Sequence, residues 1–416
     1  MKLPMTPSTF TWRFKKILKA NDLPTDLNVH SLRHTAASLF IASGTDVGTV
    51  AGLLGHSQPS TTLDIMISID VTYRCNFRCK HCFNGSGTPL LGDELKDAEL
   101  LSIARSVGVL QPNVVCFCGG EPLLRWEILC DACETIKSKS PYTQVNLVTN
   151  GSLVTETIAN RLNRAGITTV QVSVDGPNSE IHDWFRNHPG SFDLAVNAIK
   201  ILRKAGLNVV VASAPHKKHL LRLEETIDLC KRLGVSEIRM QPIMPLGRAL
   251  DNYDEVVPSY FEYRRLSRRL QEQKYKAIDN GMVVDWGDPI DHLRKFSSSS
   301  FVSNPSLGIT AYGEITVSPY LPISVGCIRR HSLEEYWESG LKNVWSIGVI
   351  QEIANLITSI NSMDLSKENL PKINYEKNLM IDLIEDDRNY INHISLASLV
   401  KQRGGQHSIR NMDTLV

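Results

Sequence analysis

The chain has 416 residues, more than one domain usually holds, so two or three folding units are expected. Its 45 Lys and Arg face 44 Asp and Glu, and a net charge of +1 excludes a protein held to a polyanion by bulk charge. No apolar run approaches the ~18 residues of a membrane span, and MKLPMTPSTFTWRFKK lacks the apolar stretch of a secretory signal. Nine cysteines are an odd number. With no export signal, they point to reduced thiols or metal ligands in the cytoplasm rather than a disulfide frame.

Residues 1–65 have helical spacing at Phe10, Phe14, Ile17 and Leu18, and again at Leu32, Leu39, Phe40 and Val47. After residue 66 the rhythm changes to short β-branched runs: 67–72, 114–118, 144–149, 169–174, 208–213 and 237–241. Between them lie amphipathic stretches at 93–106, 123–138, 155–165, 192–205 and 220–233. Six strands alternating with helices predict an α/β fold, a parallel sheet curling into a partial (β/α)6 barrel of the TIM type. From about Asp251 the alternation stops. A basic helix (263–276), a loop at 286–292, the serine run 297–300, a hairpin at 308–317 around Tyr312-Gly313 and a helix at 332–345 come next. The expected units are 1–65, 66–250, 251–350 and a tail, 351–416.

The first strand of the second unit runs into Thr72-Tyr-Arg-Cys75-Asn-Phe-Arg-Cys79-Lys-His-Cys82. Three thiols spaced CxxxCxxC can face one inorganic centre from a single loop, and thiolate is the ligand type for zinc or an iron–sulfur cluster. A zinc site with a remote fourth ligand, or buried free cysteines, would give the same spacing. The second strand ends in Cys118-Gly119-Gly120-Glu121-Pro122. Paired glycines let backbone approach a ligand closely, and the carboxylate can accept from an ammonium group.

This pair of motifs, in this order after successive strands, resembles the radical S-adenosylmethionine (SAM) enzymes over roughly residues 66–248. The resemblance implies a [4Fe–4S] cluster on Cys75, Cys79 and Cys82, with SAM on the remaining iron. One electron then cleaves SAM to a 5′-deoxyadenosyl radical that abstracts hydrogen from the substrate. It also implies that Gly119, Gly120, Glu121 and Pro122 hold the methionine amino group. Asn150, Ser173 and Asp175 match polar pocket positions, Arg186 a partner for the SAM carboxylate, and His81 a slot against the adenine. The expected reductant is a carrier such as flavodoxin or ferredoxin.

The stretches 240–249, 308–322 and 325–337 resemble peptide-modifying maturases and their SPASM extension. There Ser318 and Tyr320 flank a proline where a Pro-Cys pair belongs, and Cys327 is the only cysteine after Cys230. One thiol cannot hold an auxiliary cluster, so a SPASM-like α+β fold without its metal is expected. A precursor peptide is then the expected substrate, with epimerisation or crosslinking as its modification. Cys230 and Cys327 are the candidate hydrogen donors of an epimerase. Cys130 and Cys133 are expected on a helix face, and Cys116 in the core.

His30-Ser-Leu-Arg33-His34 and Leu54-Gly-His56-Ser in residues 1–65 resemble the C-terminal catalytic part of tyrosine recombinases, an all-α unit. An HxxR spacing puts His30 and Arg33 on one helix face, where they can grip a phosphate, and His56 would join them. The slot of the nucleophilic tyrosine holds Met66, whose thioether cannot form a phosphotyrosyl link. His30, Arg33 and His56 are therefore expected to be catalytically silent, leaving at most weak DNA binding. The competing functions are a DNA-integration protein and a radical enzyme acting on a small molecule.

Overall fold

The computed structural model describes residues 65–87, 92–278, 282–297, 306–363, 365–368, 370–371 and 378–402, with Lys16, Lys19 and Ala20 besides. His30, Arg33 and His56 lie outside the described residues, as does the end of the tail.

The architecture is α/β, built on one large, mostly parallel sheet consistent with a partial TIM-like barrel. Its strands in chain order are β1 (Met66–Asp70), β2 (Val114–Cys118), β3 (Gln144–Thr149), β4 (Thr169–Ser173), β5 (Asn208–Ser213), β6 (Glu237–Met240) and β7 (Val283–Trp286). Each pairs in parallel with the next. The crossovers carry α1 (Asp97–Leu110), α2 (Trp126–Lys139), α3 (Glu156–Ala165), α4 (Ser179–Arg186), α5 (Ser191–Lys204) and α6 (Leu223–Leu233). Two single-turn helices, α7 (Arg248–Asp251) and α8 (Tyr253–Val256), precede α9 (Tyr260–Ile278), which leads into β7.

β7 is the strand that sequence rhythm does not reveal. Its four residues VVDW are too short for an alternation to show, and they sit between the basic α9 and a loop. It pairs with β6 from Glu237↔Val283 to Met240↔Trp286, so the parallel series runs to seven strands rather than six. On the other flank β8 (Ser306–Ile309) pairs in parallel with β1 as an eighth parallel strand, and the sheet stays open between its two ends, β7 and the last strand beyond β8. The predicted hairpin is present: β8 and β9 (Glu314–Thr316) are antiparallel, and β10 (Ile323–Cys327) comes after them. β11 (Leu379–Met380), from the uninformative tail, joins β10 in parallel at the sheet's edge. After α10 (Pro289–Ser297), the helix expected at 332–345 is shorter: α11 (Leu333–Glu338) stops before Gly340, at φ +119°.

Period-two alternation divides the sheet faces. Ile67, Ile69, Val115, Phe117, Val145, Leu147, Val170 and Val172 are all buried in one core, with Leu100, Ile103, Leu129, Ile136 and Leu162 of the helices. Each such side chain contributes about 1.5–3 kcal/mol by leaving water. The opposite face of the strands carries Ser68, Asp70, Cys116, Cys118, Asn146 and Gln171, so the lumen is polar and open to a guest. Cys116 therefore corrects the core assignment: it alternates with Val115 and Phe117, and its Sγ lies 3.4 Å from that of Cys118. Cys130 and Cys133 are buried on the core side of α2. Among the described residues no helix is long and apolar enough to cross a membrane.

Candidate active site

The C-terminal ends of β1 to β4 deliver the singled-out residues to one place, a cavity of about 370 Å³. Cys75, Cys79, Cys82, His81, Gly119, Gly120, Asn150, Ser173 and Arg186 line it. Glu121, Pro122 and Asp175 do not line it; they are buried directly behind the wall. Cys230 is sealed inside α6, and Cys327 lies on β10 away from the cavity. Among the described residues, Cys118 is the only cysteine outside the trio that lines the cavity.

Close backbone approach fixes the thiol loop. Gly119 (φ +132°) and Gly120 press against the start of the loop, where a Cβ on either would collide with the carbonyl oxygens of Thr72 and Arg74. In that space Gly120 N donates to Thr72 O at 2.6 Å and Glu121 N to Arg74 O at 2.9 Å. Glu94 accepts from Thr72 Oγ1 and from Tyr73 N, at 2.8 and 2.5 Å. From the far side Arg248 donates to the carbonyls of Cys79, Gly85 and Ser86 at 2.8–2.9 Å, and its own N–H reaches Cys82 O at 3.0 Å. Arg248 lies in a segment marked only by resemblance. No local signal singles it out, because its partners are carbonyls more than 160 residues upstream.

Glu121 organises the third wall. Its carboxylate accepts from Thr149 Oγ1 at 2.7 Å, Asn150 N at 2.8 Å and Leu123 N at 3.1 Å. Burial pushes its pKa up, and these donors hold it back. Asn150 Nδ2 in turn donates to Asn76 Oδ1 of the thiol loop at 3.0 Å. Asp175 receives Arg186 through Nε and Nη2 at 2.6 and 2.5 Å, and accepts from Ala214 N at 2.8 Å. Both nitrogens converge on Oδ2, which aims the guanidinium at the cavity, with Nη1 at 3.9 Å from Cys79 Sγ. His81 stacks on Phe185 (centroids 4.0 Å, planes 7° apart), and burial holds its pKa well below the usual value.

On the lumen floor Asp70 is the cross-strand partner of Cys118 and accepts from Tyr73 Oη at 2.9 Å. Burial raises its pKa to about 6, against a lowering by the Tyr73 hydrogen bond.

The donor set fits a [4Fe–4S] cluster: three thiols from one loop face a cavity whose other walls mix backbone, hydroxyl, amide and guanidinium groups with His81, Cys118, Asp70 and apolar side chains. Three ligands leave one iron position for a small molecule, and Arg186 offers it a carboxylate partner.

Three thiols on the loop after the first strand of an open parallel barrel, met by a diglycine turn after the second, are the arrangement that the resemblance to a radical SAM domain implies. The model described as the radical SAM superfamily matches residues 69–230, and that domain works with a [4Fe–4S] cluster and SAM. Residues 2–68 match the model described as the phage integrase family. The chain is 28% identical over 295 residues to the AdoMet-dependent heme synthase of Methanosarcina barkeri, covering 66% of this chain and 82% of that one. It is 27% identical over 226 residues to the PqqA peptide cyclase of Granulibacter bethesdensis, covering 53% and 58%. In fold it is similar to Streptococcus suis SuiB bound to S-adenosylmethionine, with a TM-score of 0.56 at 15% identity over 76% of this chain and 78% of that one.

Two outcomes test this geometry. Gly120→Ala forces the loop off the turn, so cluster retention after anaerobic reconstitution falls roughly tenfold, read as iron and sulfide per chain. Asp70 binds a proton more tightly folded than unfolded, so its stabilising share is complete below pH 4 and lost as pH rises through about 6. Asp70→Asn removes that decline, on the order of 2 kcal/mol, in urea titrations of the metal-free protein between pH 4 and 7.

Proposed function

We propose that this chain is a peptide-modifying radical SAM enzyme of the cytoplasm, epimerising or crosslinking a ribosomally made precursor peptide. The observation that carries the radical reading is the single cavity shared by Cys75, Cys79, Cys82, the diglycine turn and Arg186. The three cysteines hold the cluster. Gly119, Gly120, Glu121 and Pro122 set the edge that receives the methionine amino group, Glu121 acting through the Asn150 backbone. Ser173, Asn150, Arg186 (oriented by Asp175) and His81 complete the SAM pocket. Bound there and reduced by one electron, the cluster supplies the cleavage of SAM that starts the radical chemistry. The chain's own work is to hold SAM against the lumen and keep water away from it.

The first six β/α units form the radical core. Beyond them a SPASM-like extension lends the cavity Thr310, Thr316 and Pro319. Ser318 is buried and its Oγ accepts from Tyr320 N at 3.2 Å, so a hydroxyl pairing stands where a thiol would bind metal. The extension is retained as a wall. If a thiol returns hydrogen to the substrate, its position in the cavity makes Cys118 the donor in place of Cys230 or Cys327.

The peptide reading draws on the likeness to the PqqA peptide cyclase. A second reading, a small-molecule substrate, is favoured by the likeness to the heme synthase, which extends over 82% of that protein. The integrase-like segment is a remnant without strand exchange: Met66, in the tyrosine's slot, is the first residue of β1 and pairs with Val114 and Ser306.

Anaerobic reconstitution gives about four irons per chain and release of deoxyadenosine, both abolished by Cys75→Ala, Cys79→Ala or Cys82→Ala. Eight or more irons would overturn the single-cluster reading, and bound zinc without SAM cleavage the enzyme reading. To separate the substrates, deoxyadenosine release is measured with a peptide encoded beside the gene and with an iron tetrapyrrole. Stimulation by the peptide, with loss of two hydrogens or uptake of one deuterium from D2O, is expected. Stimulation by the tetrapyrrole alone would establish the second reading.

A further inference from the structure

The segment His182-Asp-Trp-Phe-Arg186 enters the site through Arg186, but Trp184 and Phe185 have no part in the pocket. They belong to a column of flat rings. His81, between the second and third cysteines, lies on Phe185 at 4.0 Å and 7°. Phe185 lies on His216 at 4.0 Å and 18°, and His216 meets Trp184 at 5.3 Å and 40°. The column is tied to the thiol loop by Lys80 N, which donates to Phe185 O at 3.0 Å. His81 and His216 each bury an Nδ1 with no partner among the described atoms, and burial lowers the pKa of both rings.

The outer end of the column is of opposite character. Trp184 is half-buried, with Lys218 Nζ 3.9 Å and Lys80 Nζ 5.2 Å from its ring centre. Lys217 and Lys218 are exposed on the loop after β5, while Lys80 pairs with Glu255 at 2.8 Å. Both ammonium groups are within cation–π reach of the indole, Lys218 the nearer of the two. The buried ring column thus ends at a ring with cations beside it. With Lys217 and Lys218 exposed beside it, the face is positive and suits a partner surface rich in carboxylates.

We propose that the Trp184 face, framed by Lys80 and Lys218, is the docking surface for an acidic one-electron carrier protein, with the Trp184–His216–Phe185–His81 column leading from it to the cluster loop. The proposal rests on the radical SAM reading and adds where the electron enters. The balance is simple: the reduced carrier loses one electron, the cluster gains it, and no bond or proton changes hands in the chain. Lys218 steers the carrier, Lys80 frames the ring while paired with Glu255, and Trp184 is the contact ring.

The test uses the full chain with its reconstituted cluster, following bleaching of the visible iron–sulfur band by stopped flow. Two reductants are compared: a reduced acidic flavodoxin and dithionite, a small ion that needs no docking face. In the wild type, reduction by flavodoxin should slow as salt rises. Lys218→Glu and Trp184→Leu should each slow it about tenfold, and Lys218→Glu should flatten its salt dependence. Dithionite reduction should not change in either variant. An unchanged flavodoxin rate in both variants would overturn the proposal. So would an equal fall with both reductants, which would mean that the substitutions disturb the cluster site itself. A wild-type chain with no iron–sulfur band would instead sink the underlying radical reading.

Discussion

The site depends on one close approach, that of the diglycine turn after β2 to the start of the thiol loop after β1. Two carbonyl oxygens, of Thr72 and Arg74, occupy the space that side chains at 119 and 120 would fill. In return those carbonyls satisfy the N–H groups of Gly120 and Glu121, which would otherwise be buried without partners. The contact sets the loop's position relative to the sheet. Arg248 then fixes its far end, and Asn76 joins it to Asn150. A loop of this length has no regular hydrogen bonding of its own. It stays in place because three neighbouring strand ends supply its partners.

Around that contact the polar groups behind the wall act indirectly. Glu121 and Asp175 are both buried and both accept several hydrogen bonds, so neither presents a bare carboxylate to a guest. Glu121 works through the Asn150 backbone and Asp175 through Arg186. Buried carboxylates satisfied in this way make a stiff frame, and removing one partner would leave an uncompensated charge or donor. The division between a mobile guest on one side and a fully paired frame on the other arises from where the strands end.

Much of this is legible in the residues. The six β-branched runs coincide with β1 to β6 to within a residue or two, because period-two alternation is strong where a strand has an apolar face and a polar lumen. The thiol loop and diglycine turn are legible because their chemistry is local. The illegible parts are non-local. β7 is four residues long and gains its strand character from pairing with β6. β11 comes from a charged tail and depends on β10 in the same way. Cys116 misleads because its side of the strand is set by which neighbours meet the helices, and Arg248 escapes notice because its partners are distant in sequence. Cys230 is a plausible hydrogen donor on paper, and only the packing of α6 shows it enclosed.

β1 starts where the integrase match ends. The integrase match runs to residue 68, yet Met66, Ile67 and Ser68 are already hydrogen-bonded between β2 and β8. The last three residues of that match are therefore committed to the sheet, paired on both sides. Any substitution that pulls them out of β1 would part β2 from β8 and open the sheet near its middle.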